Sequence, residues 1–262
     1  MSEARVIVIG NEKGGAGKTT IVVHVATAIM HAGARLAVFD LDLRQQSTAH
    51  FFANRAAWAA AEGADLAMPV SVGPASAETF EAELAEARRT CDVVLIDTPG
   101  ADTGPSRLAH QQADLVVTPM NDSFVDFDML GVVDPVSLEV KRPSLYAEAV
   151  WEARKTRAAS SGRQIDWVVL RNRLAPVEAR NRKRLDERVK ALSRRVGFRM
   201  GNGLRDRVIY RELFPFGLTV ADLAPGIRPV PVSMSHIAAR QEIRMLLHTL
   251  GLGEAAGPAD AA

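Results

Sequence analysis

Between an apolar run, Arg5 to Gly10, and a helical pattern that begins near Lys18 lies the stretch Lys13-Gly14-Gly15-Ala16-Gly17-Lys18-Thr19-Thr20. Strand, glycine-rich turn and helix in that order form the opening unit of a parallel α/β sheet, which no other stretch of the chain constrains as strongly. The chemistry it suits is that of a triphosphate. Backbone N–H groups approach such a charge only where no Cβ intervenes, and Gly14, Gly15 and Gly17 supply that approach. The start of the helix adds unsatisfied N–H groups and a positive dipole end. Ala16 and Thr20 complete the cradle, Lys18 can reach the β- and γ-phosphates, and Thr19 offers its hydroxyl to Mg²⁺.

One residue departs from the usual pattern. Where such loops carry their first glycine this chain has Glu12, and Lys13 opens the loop instead. A lysine there, in Lys-Gly-Gly-x-Gly-Lys-Thr-Thr, resembles the deviant loop of the ParA/MinD family of dimerising ATPases. The resemblance implies that Lys18 serves the chain's own ATP while Lys13 reaches the nucleotide of a partner copy.

The strand and helix rhythm continues downstream. Thr19 to His31 reads as a helix that Gly33 ends, and Arg35 to Asp40 as a second short strand. It runs into Asp40-Leu41-Asp42-Leu43-Arg44-Gln45-Gln46-Ser47, at the kind of strand end where open α/β sheets place their ligand chemistry. Paired carboxylates on alternate residues mark a candidate site. The resemblance implies that Asp42 positions or activates the attacking water; an aspartate here can also simply cap the next helix. Phe80 to Arg88 has helical spacing, and Asp92 to Asp97 is a buried strand closing in an aspartate before Thr98-Pro99-Gly100. Downstream of a phosphate loop this is a Walker B strand with a switch loop, in which Asp97 faces Mg²⁺ and Gly100 leaves its N–H for the γ-phosphate.

Asp114 to Pro119 and Ile165 to Leu170 predict further strands. Asn172 stands at the end of the second, where the resemblance implies a hydrogen bond to the adenine edge; the alternative is an ordinary turn asparagine. Gly63 to Ala77 has no clear period and predicts a surface loop. Asn121 to Asp128 holds four carboxylate or amide groups without the spacing of a calcium loop, and predicts a helix start or a subunit-contact loop. Ser144 to Ala159 predicts a helix with Leu145, Val150 and Trp151 near its core face. Arg228 to Ser233 is a proline-stiffened loop that the resemblance puts at the base-side wall of the pocket, and Ser235 to Leu250 predicts a closing helix.

Length and composition narrow the reading further. A chain of 262 residues suits one α/β domain, a single-domain P-loop fold whose mostly parallel twisted sheet carries helices on both faces, over residues 1–252. The Ala/Gly/Pro-rich tail, 253–262, is expected to be disordered. The one cysteine, Cys91, suits a reducing compartment, so a cytoplasmic protein is expected. No basic-then-apolar leader precedes Arg5, and the longest apolar stretch, Ile21 to Met30, is interrupted by His24 and Thr27 and too short for a bilayer. No membrane association is expected.

The net charge of +1 conceals a sorted distribution. Between Arg171 and Arg211 stand fourteen Lys/Arg and four Asp/Glu, so this segment carries +10 and the remainder −9. Within it, Glu178 to Val196 has helical spacing, with Leu185, Val189, Leu192 and Val196 on one stripe. Arg180, Lys183, Arg184, Arg188, Lys190, Arg194, Arg195 and, just beyond, Arg199 supply cations elsewhere. Solvated faces tend to mix signs, whereas this one favours non-specific binding to DNA phosphates. Leu204 to Leu218 continues the basic character with Arg205, Arg207 and Arg211.

Over nearly the whole length the chain resembles the ParA/MinD family, and most closely its members that set the bacterial division plane. Gly10-Asn11-Glu12-Lys13, Thr118 to Asp128, Asp166 to Arg173 and Leu204 to Gly217 carry that closer likeness. It implies a homodimer formed on ATP binding, nucleoid association through non-specific DNA binding, engagement of the centromere-binding protein ParB, and opposition to FtsZ assembly. A ParA-type partition ATPase is the nearest alternative reading, and a small-molecule synthetase of the same superfamily a more distant one. A single cysteine excludes the cluster of nitrogenase iron protein, and the chain's last residues do not resemble a MinD-type membrane anchor.

Overall fold

The computed structural model describes residues 3–74, 76–121, 129–134, 140–172, 179–223 and 233–253. The elements run β1 (Arg5–Ile9), α1 (Lys18–His31), β2 (Leu36–Asp40), α2 (Ser47–Glu62), β3 (Ser71–Gly73), α3 (Phe80–Thr90), β4 (Val93–Asp97), α4 (Gly104–Gln112) and β5 (Leu115–Asn121). They continue with β6 (Gly131–Val133), β7 (Val140–Pro143), α5 (Leu145–Ser161), β8 (Asp166–Asn172), α6 (Ala179–Val196), β9 (Arg199–Asn202), α7 (Ile209–Glu212), a 3₁₀ turn (Phe214–Phe216) and α8 (Met234–Thr249).

Seven strands form one parallel sheet in the order β3-β2-β4-β1-β5-β8-β9, and β6 and β7 make a separate antiparallel hairpin. Both faces of the central strands are buried, because alternate residues of β1, β2, β4, β5 and β8 feed opposite cores. Ile7 and Ile9 point into a core shared with α1, Phe51 and Phe52 of α2, and Ile243 and Leu246 of α8. Val6 and Val8 point into the other, with Phe80 of α3, Ala109 of α4, Val150 of α5 and Leu192 of α6. This is the single-domain parallel α/β architecture that the sequence predicts. Crossing from β1 to the two sides of the sheet leaves a crevice at the carboxyl ends of the central strands.

Register decides what faces that crevice. Ile9 of β1 and Asp40 of β2 both pair with Asp97 of β4, so two carboxylates and the start of the phosphate loop stand at one level. On the far side of the sheet Trp167 Nε1 donates to Thr118 Oγ1, which is bonded to Tyr146 Oη, and Tyr146 donates to the Gly10 carbonyl at 2.8 Å. This buried chain holds the residue from which the loop springs.

Two expectations are corrected by packing. Within 63–77, Ser71 to Gly73 add an edge strand; its residues are largely exposed, so the pairing left no apolar alternation to read. In α5 the buried stripe is Tyr146, Ala147, Val150, Ala153 and Arg157, whereas Leu145 is 77% and Trp151 51% exposed. Both flank the stripe by about 100°, one residue's turn of helix, and so miss the core. The described side chains of the α6 stripe, Val189, Leu192 and Val196, are buried as the spacing predicts. Residues 122–128, 228–232 and 254–262, where a contact loop, a base-side wall and a disordered tail are expected, lie outside the described residues. Among the described residues no helix is long and apolar enough to cross a membrane.

Candidate nucleotide site

The phosphate loop is shaped by backbone before any side chain acts. Gly17 has φ +86, and a Cβ there would lie 2.3 Å from Asn172 Nδ2, so both conformation and space require glycine. Its carbonyl accepts from Ile21 N, opening α1 without a side-chain cap. The loop's base is fixed by Asn11, whose amide donates to the Pro119 carbonyl and accepts from Lys13 N at 2.6 Å. Lys18 Nζ donates to the carbonyls of Asn11 at 3.0 Å and Lys13 at 3.1 Å, which holds the ammonium under the loop. Burial pulls the Lys18 pKa down, and the charges of Asp97 and Asp42 oppose this.

Above the loop opens a cavity of about 730 Å³. Gly14 to Thr20 form one wall, Asp40, Asp42, Arg44 and Gln45 a second, and Asp97 to Ala101 a third. The sequence-predicted residues Gly14, Gly15, Ala16, Gly17, Lys18, Thr19, Thr20, Asp42, Asp97 and Gly100 therefore converge on one space. Lys13 is not among the described residues that line it, and its backbone faces the base of the loop instead.

Thr19 Oγ1 donates to Asp97 Oδ2 at 2.8 Å, and Thr48 Oγ1, from α2, donates to the same oxygen at 2.7 Å. Burial pushes the Asp97 carboxyl up to about 7; both threonines and Lys18 oppose the rise and Asp40 adds to it. Asp97 Oδ1 is buried with no hydrogen-bond partner among the described residues. A hard oxygen donor left unsatisfied beside a threonine hydroxyl is the donor set Mg²⁺ takes together with phosphate oxygens, so the residues present fit that ion.

Asp40, not Asp42, caps the next helix. Its Oδ2 accepts from Thr48 N at 2.8 Å and Ala49 N at 3.1 Å at the start of α2, while its Oδ1 accepts from Asp42 N. Burial raises the Asp40 pKa against these hydrogen bonds. The Asp42 carboxylate is left to the cavity, where among the described residues it accepts from Gln45 N at 3.1 Å. Asn172 is buried, its Nδ2 donating to the Ala16 carbonyl at 2.8 Å and its Oδ1 accepting from Leu204 N at 3.0 Å. It ties the loop to the end of β8 and retains one N–H for a further partner. The alternate carboxylates mark Asp40 in the sequence but not its capping role, and the roles of Thr48 and Asn11 escape sequence reasoning because Thr48 meets Asp97 49 positions on and Asn11 meets Pro119 108 positions on.

A family model described as ATPase MipZ matches residues 5–254. The chain belongs to the MipZ ATPase family. Solved structures share this fold at low identity. McdA of Cyanothece is 15% identical, with 97% of this chain and 100% of that chain covered at a TM-score of 0.62. MinD of Pyrococcus horikoshii, complexed with Mg-ADP, is 15% identical over 95% and 98% at 0.57. A plasmid partition protein of Borrelia burgdorferi bound to AMPPNP is 13% identical over 94% and 100% at 0.56. A comparison with curated protein sequences found no significant match. Membership of the MipZ family makes the chain an ATPase, and the described cavity is its candidate nucleotide site.

The basic segment is not uniform in its pairing. Lys190 and Arg194 are exposed on α6, on the side away from its buried stripe, and Arg195 is exposed as well. Arg199 lies on β9 and pairs with Asp166 at 2.7 Å, which offsets its charge in place. Arg207 pairs with Glu242 at 2.6 Å and Arg211 with Asp206 at 3.3 Å, so the basic run beyond 204 is largely matched by acids. The side chains of Arg180, Lys183, Arg184 and Arg188 lie outside the described residues.

Proposed function

We propose that this chain is an ATP-driven monomer–dimer switch that positions the division site. The observation that carries the reading is the separation of the two lysines in a MipZ-family chain: Lys18 is held beneath the nucleotide cavity, and Lys13 is outside its lining. Gly14 to Thr20 bind the phosphates, Lys18 neutralises the β- and γ-phosphates, and Asn172 serves the adenine edge with its remaining N–H. Thr19 and Asp97 hold Mg²⁺, which when bound offsets charge on the phosphate oxygens. Asp42 orients the attacking water, and Gly100 reports the γ-phosphate to the switch loop. Lys13 neutralises the partner's triphosphate, so that dimers form with ATP and dissociate after hydrolysis.

In this reading the dimer joins two basic α6 faces on one body and binds the nucleoid without regard to base sequence. ParB engages the monomer and the dimer opposes FtsZ assembly, which makes the chain a cytoplasmic positional signal. Molar mass by light scattering, with ADP and then with a slowly hydrolysed ATP analogue, tests the switch. A doubling only with the analogue is expected; equal masses in both states would remove it. FtsZ assembly measured with the ATP-loaded dimer separates this role from that of a partition ATPase, for which no effect on assembly is expected.

A further inference from the structure

The cavity wall opposite the phosphate loop is a tight turn, Asp42 to Gln46. Gln45 N donates to the Asp42 carbonyl at 3.1 Å and Gln46 N at 2.8 Å. Gln46 closes the turn in the left-handed region, φ 49, and is the one non-glycine residue with positive φ among the described residues. A left-handed non-glycine residue is uncommon, and the turn it closes leaves residues 43–45 exposed. Arg44 is exposed at the tip and lines the nucleotide cavity.

Charge makes this arginine more than a surface residue. Among the described residues lining the cavity, Lys18 and Arg44 carry the positive charge, while Asp40, Asp42 and Asp97 face the same space. A triphosphate brings about four negative charges, which a lysine and one divalent cation do not balance against carboxylates already present. Lys18 is committed to the loop side. Arg44 has no hydrogen-bond or ion-pair partner among the described residues, although acids lie two and four positions away. A guanidinium held unpaired at the lip of an anion site is poised for a phosphate, whose oxygens its planar fork matches with two parallel bonds.

We propose that Arg44 binds the γ-phosphate of the chain's own nucleotide and is the residue by which the site distinguishes triphosphate from diphosphate. The proposal rests on the nucleotide reading above. Because the Asp42 backbone is bonded to Gln45 and Gln46, a phosphate gripped by Arg44 fixes the turn that carries Asp42. Recognition of the γ-phosphate and placement of the water-orienting carboxylate then become one event.

The test is equilibrium binding of fluorescent ADP and of a slowly hydrolysed fluorescent ATP analogue to wild type, Arg44→Ala and Arg44→Lys. It is run at protein concentrations where light scattering shows monomer. Arg44→Ala is expected to leave ADP affinity within about twofold and to weaken the analogue roughly tenfold or more, the effect of losing a charge-assisted hydrogen bond. Arg44→Lys should fall between, since an ammonium keeps the charge and loses the fork. Melting temperatures should be unchanged, Arg44 having no partner to lose among the described residues. An unaltered ratio of triphosphate to diphosphate affinity in Arg44→Ala would overturn the proposal. So would a loss seen only in dimers, which would assign Arg44 to the partner's nucleotide. Failure of wild type to bind either nucleotide would instead sink the reading of the site itself.

Discussion

Asp40 turns its carboxylate inward to the N–H groups of Thr48 and Ala49, whereas Asp42, two residues on, keeps its carboxylate at the cavity. The phosphate cradle and the donors for Mg²⁺ come from other elements, so removing the Asp42 carboxylate should spare binding. We expect Asp42→Ala to bind ATP with affinity near that of wild type and to hydrolyse it roughly a hundredfold more slowly or worse. Nucleotide titration and phosphate release check the two halves, and near-normal turnover would take Asp42 out of the mechanism. At this scale the sequence was most legible where a residue type is irreplaceable. Gly17, Lys18 and Thr19 are recognisable because a phosphate loop admits little but a glycine, a lysine and a Ser or Thr hydroxyl at those three positions. Asn172 was legible by type alone: nothing near it in sequence shows that its amide bonds the Ala16 carbonyl, 156 residues away.

Helix α2 links the nucleotide crevice to the carboxyl-terminal third of the chain. Its first turn carries Thr48 against Asp97, and further along Arg55 is fully buried in a bidentate pair with Asp222, at 2.7 and 2.9 Å. Arg55 also donates to the carbonyls of Ala67 and Gly217, and Phe51 stacks against Phe214 at 5.3 Å. Arg55→Met would leave Asp222 buried and charged, which should cost about 3–5 kcal/mol, visible as a lower denaturant midpoint. The double variant Arg55→Met with Asp222→Leu should recover much of that loss. Burial alone would raise the Asp222 carboxyl, but His31 and Arg55 hold it well below the usual carboxylate range. Its folded pKa thus lies below the unfolded value of about 3.9, so its stabilisation is complete above that pH and is lost as pH falls below it. Melting curves from pH 6 to pH 3 should show this fall, with a shallower slope in Asp222→Asn. Periodicity in the sequence reveals helices such as α6 well, because an apolar stripe is a local property; edge strands such as β3 need neighbours to define them.

For the whole molecule, the proposed switch requires that one nucleotide site govern a partner copy and a basic surface. Lys13→Ala should leave nucleotide binding by the monomer within a few-fold of wild type and abolish dimers with the ATP analogue, as read by light scattering. Normal dimers from this variant would refute the trans role. On the proposed switch, a dimer would place two α6 faces on one body and the second face would bind at high effective concentration, so DNA affinity should rise roughly a hundredfold with the analogue over ADP. Replacing one phosphate-neutralising arginine, Arg194 for instance, should flatten the plot of log affinity against log salt by up to about two units in a symmetric dimer. A quadruple Arg184→Ala, Arg188→Ala, Arg194→Ala, Arg195→Ala variant that still dimerises and binds duplex DNA as wild type does would reduce this face to ordinary surface. By itself the sequence determined the phosphate loop, the Walker B strand, the parallel α/β class and the sorting of charge onto one segment, since each is written in neighbouring residues. Only the tertiary structure decided that Asp40 caps and Asp42 does not, that Thr48 joins Thr19 on Asp97, and that Arg199 is matched by Asp166. It also decided that Arg55 reaches Asp222 across 167 positions. Strand order and register bring those partners together, and a one-dimensional pattern contains neither.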